Sequence, residues 1–165
     1  MLQKNPSYRR ATVEDLLSIC ELGNVVNRLH HEACPQVFAP SPDQAREQAH
    51  WLTSLQGEAA ATFLAQDDGA VVGFVTVQIL EENHCLLQPL CFARVGTLCV
   101  AEHMRGHGIG RALMEHAQRW AAVCGAMDIR LEVWKFNTSA MRLYEELGYE
   151  IRSFAMSKRI EPDAA

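Results

Sequence analysis

Three glycines and an arginine fall within residues 105–110, which read RGHGIG and stand directly before a strongly helical stretch. A helix N-terminus leaves backbone N–H groups unpaired and carries a partial positive charge, so it binds phosphate groups readily. Glycine lets the backbone approach an anion closely and adopt a positive φ. Arg105 and Arg111 add positive charge on either side. The pattern predicts a pyrophosphate site, with a plain strand-to-helix turn as the structural alternative.

Two common phosphate-binding loops do not fit this spacing. A dinucleotide fingerprint, G-x-G-x-x-G, needs a glycine where Arg111 stands. A P-loop ends in glycine, lysine and a hydroxyl residue, and no such lysine follows Gly110. The loop therefore belongs to another kind of phosphate or cofactor site.

The elements around the loop alternate between strand and helix periodicity. Asp68-Gly69 between two β-branched runs predicts a hairpin. A second helix is predicted to begin at a Ser41 cap, with Pro42 in its first position and Gln44 completing a capping box. The predicted order is a strand at 8–12, helices from 12 and 41, the hairpin at 61–80, a strand at 91–100, a helix at 111–124, a strand at 128–134, a helix at 139–148 and one or two closing strands within 149–160. This order describes a mixed sheet with helices on its faces.

The composition is that of one ordinary globular domain of 165 residues. The net charge of -5 argues against sequence-independent nucleic-acid binding. No apolar run is long enough to span a membrane and no secretory signal opens the chain, so we expect a cytoplasmic location. The six cysteines show no paired spacing, and the histidine clusters at 29–31 and 103–107 lack a second ligand pair, so no metal site is expected.

Longer motifs resemble those of the GNAT superfamily of N-acetyltransferases. The stretch LCVAEHMRGHGIGRALMEHA is similar to its cofactor-binding motif, and LEVWKFNTSAMRLYEELGYEI is similar to the motif that follows it. The resemblance implies a single GNAT domain over residues 1–165 with its core at about 8–160. It implies an α/β fold whose mixed, mostly antiparallel sheet has about six to seven strands, splays between strands four and five, and is flanked by about four helices. One departure is Ala101, where many members have proline.

The resemblance also implies a set of functional residues. Acetyl-CoA would lie where the two strands splay, with its pantetheine arm along the strand ending at Val100 and its pyrophosphate in the glycine loop. Tyr144 would be the general acid that protonates the leaving thiolate, and Tyr149 a packing residue. The implied cofactor-binding residues are Leu98, Cys99, Val100, Arg105, Gly106, His107, Gly108, Ile109, Gly110, Arg111 and Asn137. For Asn137, a helix cap is an equal alternative.

The implied function is the transfer of an acetyl group from acetyl-CoA to a primary amine of a small molecule, peptide or protein, by direct attack on the thioester. The N–H of Val100 is a candidate oxyanion donor. The candidate base is Glu132 or a water chain, although a solvated or salt-bridged strand residue is the favoured interpretation of Glu132. A covalent relay through Cys99 is disfavoured. Two alternatives stay open: a non-catalytic CoA-binding module and an acyltransferase that uses a longer acyl-CoA.

The acceptor amine is not identified by the sequence. The resemblance implies that substrate contacts come largely from the first two helices, their connection and the region of strands six and seven. The connection here reads LHHEACPQVFAP and contains His30, His31, Glu32 and Phe38. Solvated loop histidines are the alternative reading of this segment. The expected partners are acetyl-CoA and an amine acceptor, without nucleic acid or membrane, and a homodimer is left open.

Overall fold

The computed structural model describes residues 6–41 and 43–160. Four helices and five strands follow one another, with two 3-10 turns at Val13–Asp15 and Glu102–Met104. In chain order they are β1 (Ser7–Arg10), α1 (Leu16–Ala33), α2 (Gln44–Gln56), β2 (Ala60–Asp67), β3 (Ala70–Glu82), β4 (Leu90–Val100), α3 (Ile109–Val123), β5 (Asp128–Arg130) and α4 (Thr138–Glu146).

The strands form one sheet in the order β1-β2-β3-β4-β5. The first three pairings are antiparallel and the β4–β5 pairing is parallel, so the predicted mixed, mostly antiparallel sheet is confirmed. The β2–β3 hairpin turns at Asp68 and Gly69, whose φ values of 48° and 81° suit a two-residue turn with two left-handed positions. The predicted hairpin and the predicted four flanking helices are present.

Alternating side chains place a separate core on each face of the sheet. On one face α3 packs its apolar stripe, which includes Leu113 and Ala117, against Val75 and Val95. On the other face α1 and α2 bury Ile19 and Trp51 against residues such as Phe74. Neighbouring residues of β3 thus serve opposite cores, as the two-residue period of a strand requires.

The sheet has five strands rather than the predicted six to seven. The predicted strand at 128–134 pairs only over Asp128–Arg130, and no strand forms within 149–160, where residues 150–160 are exposed. Both segments have strand-like sequences, but a strand forms only where a neighbouring edge offers hydrogen bonds. The beginning of the 149–160 segment is held to β5 by an ion pair of 3.0 Å between Arg152 and Asp128.

Helix boundaries differ from the expected ones by a few residues. The helix expected from Thr12 begins with a 3-10 turn, and Thr12 and Asp15 form its capping box. Arg9 holds that carboxylate with two hydrogen bonds of 2.6 and 2.8 Å, and the Arg9 guanidinium holds the pKa of Asp15 below its usual value. The predicted Ser41 cap is wrong, because the Asp43 side chain accepts from the N–H of Arg46 at 2.9 Å. Pro42 lies outside the described residues.

Candidate functional site

The last six residues of β4 have a partner strand on one side only. β5 pairs with Phe92, Ala93 and Arg94, whereas β3 pairs with β4 as far as Val100. Within the described chain, no strand lies along the outer edge of residues 95–100. We call this region, between residues 95–100 and the chain that follows β5, the wedge. It is the predicted splay between strands four and five.

The pairing of β3 with β4 is irregular near the point where β4 and β5 begin to separate. The β3–β4 register shifts between Val75 and Val77, and the Thr76 hydroxyl accepts the N–H of Thr97 at 2.9 Å in place of a backbone carbonyl. A side chain at Gly96 would bring its Cβ to 2.7 Å from that hydroxyl oxygen, so only glycine allows this approach. A bulge of this kind bends and twists the strand. The irregularity begins at Gly96, two residues past Arg94, which is the last residue of β4 that pairs with β5.

The register also shows which backbone groups of β4 face the wedge. The N–H of Thr97 is directed to β3, and the N–H of Ala101 donates to the Val72 carbonyl of β3 at 2.8 Å. Backbone groups alternate between the two edges of a strand, so those of Leu98 and Val100 face the wedge while those of Cys99 face β3. Val100 therefore offers an N–H donor at the open edge.

The glycine loop ends directly at the N-terminus of α3. Gly106 and Gly108 both have a φ of 79°, and a Cβ at either position would meet no atom within 4 Å. The first helical N–H bonded in α3 is that of Ala112, which donates to the Gly108 carbonyl at 3.0 Å, so the N–H groups of the first turn lie outside the helical ladder. The loop thus combines open space with backbone donors, which is what a pyrophosphate requires.

The charged side chains of the loop have protein partners. Arg105 donates from Nε to the Val100 carbonyl at 3.1 Å, which closes the loop against the end of β4. The Nδ1 of His107 lies 2.9 Å from the carbonyl of Arg105. Arg111 forms an ion pair of 2.8 Å with Glu146 at the end of α4. Because these side chains already have protein partners, the groups left to bind an anion are the backbone N–H groups of the loop and of the first turn of α3.

Helix α4 brings Tyr144 to the same region. A Cβ on Gly110 would lie 3.2 Å from the Leu143 side chain and 3.9 Å from those of Leu98 and Val100, so α4 packs directly over the loop and the end of β4. Tyr144 is half-buried, and burial raises the pKa of its hydroxyl, which keeps it protonated at neutral pH. A protonated phenol beside the wedge can act as a proton donor.

Tyr149 lies edge-on to Tyr144, with ring centroids 5.8 Å apart. Its hydroxyl is buried and has no hydrogen-bond partner among the described residues. Burial and the nearby Tyr144 raise the pKa of Tyr149 to about 12. The ring packs against the same core as Leu147, which agrees with a packing role.

Three other predicted residues have clear surroundings. Asn137 caps α4, since its Oδ1 accepts from the N–H of Ala140 at 3.2 Å, and its amide NH2 is the group left for a ligand. The thiol of Cys99 is directed away from the loop to the Leu22 carbonyl of α1 at 3.4 Å, and burial raises its pKa to about 11, which disfavours a nucleophilic role. Glu132 is exposed on the chain that follows β5. In residues 6–41 and 43–160 no group of three or more acidic, His or Cys side chains could hold a metal.

The connection after α1 meets the connection before α4 in a group of rings. His30 and Phe38, both within the segment proposed from the sequence, contact Phe136 and Trp134 respectively. Sequence reasoning missed Trp134 and Phe136, although two aromatic residues directly before a helix cap were a visible signal. Glu32, from the same predicted segment, is exposed and has no part in this group.

Comparison with known proteins agrees with this geometry. A family model described as the acetyltransferase (GNAT) family matches residues 25–149. An aminoglycoside N(6')-acetyltransferase type 1 of Salmonella typhimurium is 27% identical over 117 residues, which cover 70% of this chain and 79% of that relative.

Two solved structures share the fold. A mutant of the BH1408 protein of Bacillus halodurans superposes with a TM-score of 0.85 at 22% identity, covering 94% of this chain and 99% of that one. An aminoglycoside N-acetyltransferase in complex with CoA has a TM-score of 0.77 at 18% identity and covers 98% of this chain and 100% of its own. In the part of the chain that the structure describes, no helix is long and apolar enough to cross a membrane.

Proposed function

The chain belongs to the acetyltransferase (GNAT) family, and we propose that its glycine loop, the wedge and Tyr144 carry the transfer of an acetyl group to a primary amine. The protein is an acetyl-CoA-dependent N-acetyltransferase, as the sequence predicts. The observation that carries the residue assignments is the open outer edge of β4, which leads directly into a loop whose backbone has space and donors for a pyrophosphate.

The binding part of the proposal rests on the backbone. The N–H groups of residues 106–111 would hold the pyrophosphate at the start of α3, where the helix dipole favours negative charge. Leu98 would pair with an amide of the pantetheine arm along the edge that β5 leaves open, and the arm would pass Val100, whose carbonyl already accepts from Arg105. The Asn137 amide would reach the arm from the start of α4, while its oxygen keeps the cap.

When bound, acetyl-CoA supplies a thioester whose carbonyl carbon an unprotonated amine attacks, with release of the CoA thiol. The N–H of Val100 faces the wedge and would stabilise the negative charge that develops on the carbonyl oxygen. The Tyr144 hydroxyl would give its proton to the departing sulfur. The amine loses its own proton to Glu132 or to a water chain. Cys99 has no part in the reaction.

One assay distinguishes the proposed function from two others on the same fold, a transferase for a longer acyl-CoA and a non-catalytic CoA-binding module. Thiol release is measured with acetyl-CoA and with a longer acyl-CoA, each in the presence and absence of a panel of amines. Amine-dependent release with acetyl-CoA supports the proposal. A preference for the longer donor indicates a different acyltransferase, and tight CoA binding without release indicates a binding module.

Three further expectations remain proposals. The chain acts as one acetyltransferase domain over residues 1–165. A cytoplasmic location is supported by the need for acetyl-CoA and by six cysteines that are all free. A homodimer stays a prediction that light scattering on the purified chain tests.

The aminoglycoside substrates named for the relatives support an amine on a small molecule.

A further inference from the structure

Four aromatic rings form a closed circuit at the surface beside the wedge. We call His30, Phe38, Trp134 and Phe136 the aromatic cluster. The ring centroids are 4.8 Å apart for His30–Phe38, 5.0 Å for Phe38–Trp134, 6.4 Å for Trp134–Phe136 and 5.3 Å for Phe136–His30. Each ring therefore contacts two others. Trp134 and Phe136 keep 44% and 36% of their surface exposed, which leaves an open apolar face on an ordered cluster.

The α1 side of the cluster is held in place by side chains that contact backbone carbonyls. The His30 Nδ1 lies 2.8 Å from the Val26 carbonyl, and the His31 Nδ1 lies 2.7 Å from the Phe38 carbonyl. Asn27 donates to the Ala39 carbonyl at 3.2 Å. These contacts fold the connection after α1 back onto its own helix and fix the position of Phe38. The histidine pair is thus used to orient an aromatic ring, which a solvated loop would not do.

The cluster joins the two sides of the wedge on the face of the sheet that α1 covers. α1 packs against β4, where the Cys99 thiol donates to the Leu22 carbonyl. Trp134 and Phe136 belong to the chain that leaves β5 and ends at the Asn137 cap of α4, the helix of Tyr144. α3 and its glycine loop occupy the opposite face. The cluster therefore lies on the α1 face of the wedge, whereas Tyr144 packs against the core of the opposite face.

The charges beside the cluster balance. The segment 28–38 contributes Arg28 and Glu32, and the segment 131–137 contributes Glu132 and Lys135, two basic and two acidic groups. A polycationic acceptor would require an excess of carboxylates at this entrance. Exposed rings favour contact with apolar surface instead, since burial of an aromatic face stabilises a complex strongly.

We propose that the aromatic cluster holds the hydrocarbon part of the acceptor, so that the preferred substrate is a primary monoamine with an aromatic or bulky aliphatic group close to its nitrogen. This inference rests on the proposed function. The same chemistry is offered by a free arylalkylamine and by a peptide whose first residue is aromatic. Trp134 is the specificity-determining residue because it is the most exposed ring of the cluster.

The test uses the full chain with acetyl-CoA and matched pairs of acceptors. Phenethylamine is compared with ethylamine, Phe-Gly amide with Gly-Gly amide, and neamine serves as the polycation. We expect a kcat/KM about 10- to 100-fold higher for each aromatic member than for its partner, as burial of a ring implies. The pair of acceptors that shows the larger ratio of kcat/KM tells whether the natural acceptor is a free arylalkylamine or a peptide with an aromatic first residue.

Variants at Trp134 separate a role in recognition from a role in folding. Trp134→Ala should remove most of the aromatic preference by raising KM, while the rate with ethylamine and the affinity for CoA stay within about twofold. Trp134→Phe keeps a ring and should retain the preference. Phe38→Ala provides a second measurement if Trp134→Ala fails to fold.

The remaining outcomes contradict the proposal in distinguishable ways. Equal kcat/KM for phenethylamine and ethylamine, a preference for neamine, or an equal loss for all amines in Trp134→Ala would overturn the acceptor assignment while leaving the acetyltransferase intact. If no amine in the set causes release of CoA, the acceptor assignment is wrong; if CoA also fails to bind, the proposed roles of the glycine loop and the wedge are wrong as well.

Discussion

The guanidinium of Arg111 in the first turn of α3 lies 2.8 Å from the carboxylate of Glu146 at the end of α4. The contact ties the helix that follows the glycine loop to the helix that carries Tyr144. The two side chains are 41% and 55% exposed, so the pair contributes less than about 1 kcal/mol to folding. It holds the guanidinium that the family resemblance assigns to the cofactor.

Releasing Arg111 should therefore strengthen cofactor binding. We expect Glu146→Gln to tighten CoA binding by about two- to fivefold at low salt, and Arg111→Gln to weaken it by a similar factor. Both effects should shrink as salt is added. Calorimetry measures the affinities. Glu115→Gln is the matched control, because it makes the same charge change in the other ion pair of α3, with Arg119. If Glu115→Gln tightens CoA binding by the same factor, the gain comes from the change in net charge and not from the release of Arg111.

A side chain on Gly108 should block the pyrophosphate. Gly108→Ala places a Cβ in the open space at the start of α3, and we expect CoA affinity to fall about tenfold or more, as loss of hydrogen bonds to a charged group implies. Gly125→Ala is the control, since Gly125 follows the same helix with a φ of 84° and equally open space. Both variants carry similar backbone strain. Unchanged CoA affinity in folded Gly108→Ala would remove the loop from the site.

Removal of the Tyr144 hydroxyl should slow the chemical step. Tyr144→Phe keeps the ring, so folding and CoA affinity should change little, while the single-turnover rate falls by about 10² to 10⁴, the range of general acid catalysis. Tyr149→Phe removes a neighbouring buried hydroxyl without a partner among the described residues, and its rate should match that of the native chain. If both variants react at the native rate, Tyr144 is a packing residue.

The two tyrosines should also make the fold sensitive to high pH. Burial raises the pKa of Tyr144 and brings that of Tyr149 to about 12, so an unfolded chain ionises these phenols first, near pH 10. Their contribution to stability is fully present below pH 10 and is lost as pH rises toward 12. We expect the unfolding free energy to fall by about 2 to 3 kcal/mol over this range.

Denaturant titrations at a series of pH values measure this loss. Tyr149→Phe should flatten the decline, because phenylalanine cannot ionise. Tyr8→Phe is a less informative comparison, since the pKa of Tyr8 is raised as well. A decline of equal steepness in Tyr149→Phe would mean that other groups control alkaline unfolding.

Local signals in the sequence predicted the parts of the fold that depend on local chemistry. Asp68-Gly69 fixed the hairpin because few residue pairs accept two left-handed positions in a row. The glycine loop and the helix after it were predicted for the same reason. The α2 cap was assigned to Ser41 rather than Asp43, because both residues can cap and spacing alone does not choose between them.

Pairing between distant segments was less predictable. Leu131 and Val133 continue the strand-like alternation of β5, yet the chain leaves the sheet after Arg130. The sequence pattern reports which residues suit a strand and not whether a neighbouring edge is within reach. The irregularity beside this point involves Gly96 and the hydrogen bond from the Thr97 N–H to the Thr76 hydroxyl, which becomes visible only when β3 and β4 are placed side by side. The aromatic cluster was missed for the same reason.

The open edge of β4 has a consequence for the handling of the protein in solution. The backbone groups of residues 95–99 on the edge that β5 leaves open can join another chain as readily as a pantetheine arm, and an uncovered edge of this kind promotes aggregation. In the proposed binding mode CoA and acetyl-CoA would both cover it, since the arm is common to substrate and product. We expect either molecule to raise the melting temperature and to slow precipitation, while acetylation itself has no effect. The shelf life of the enzyme then follows the total CoA pool and not its acetylated fraction.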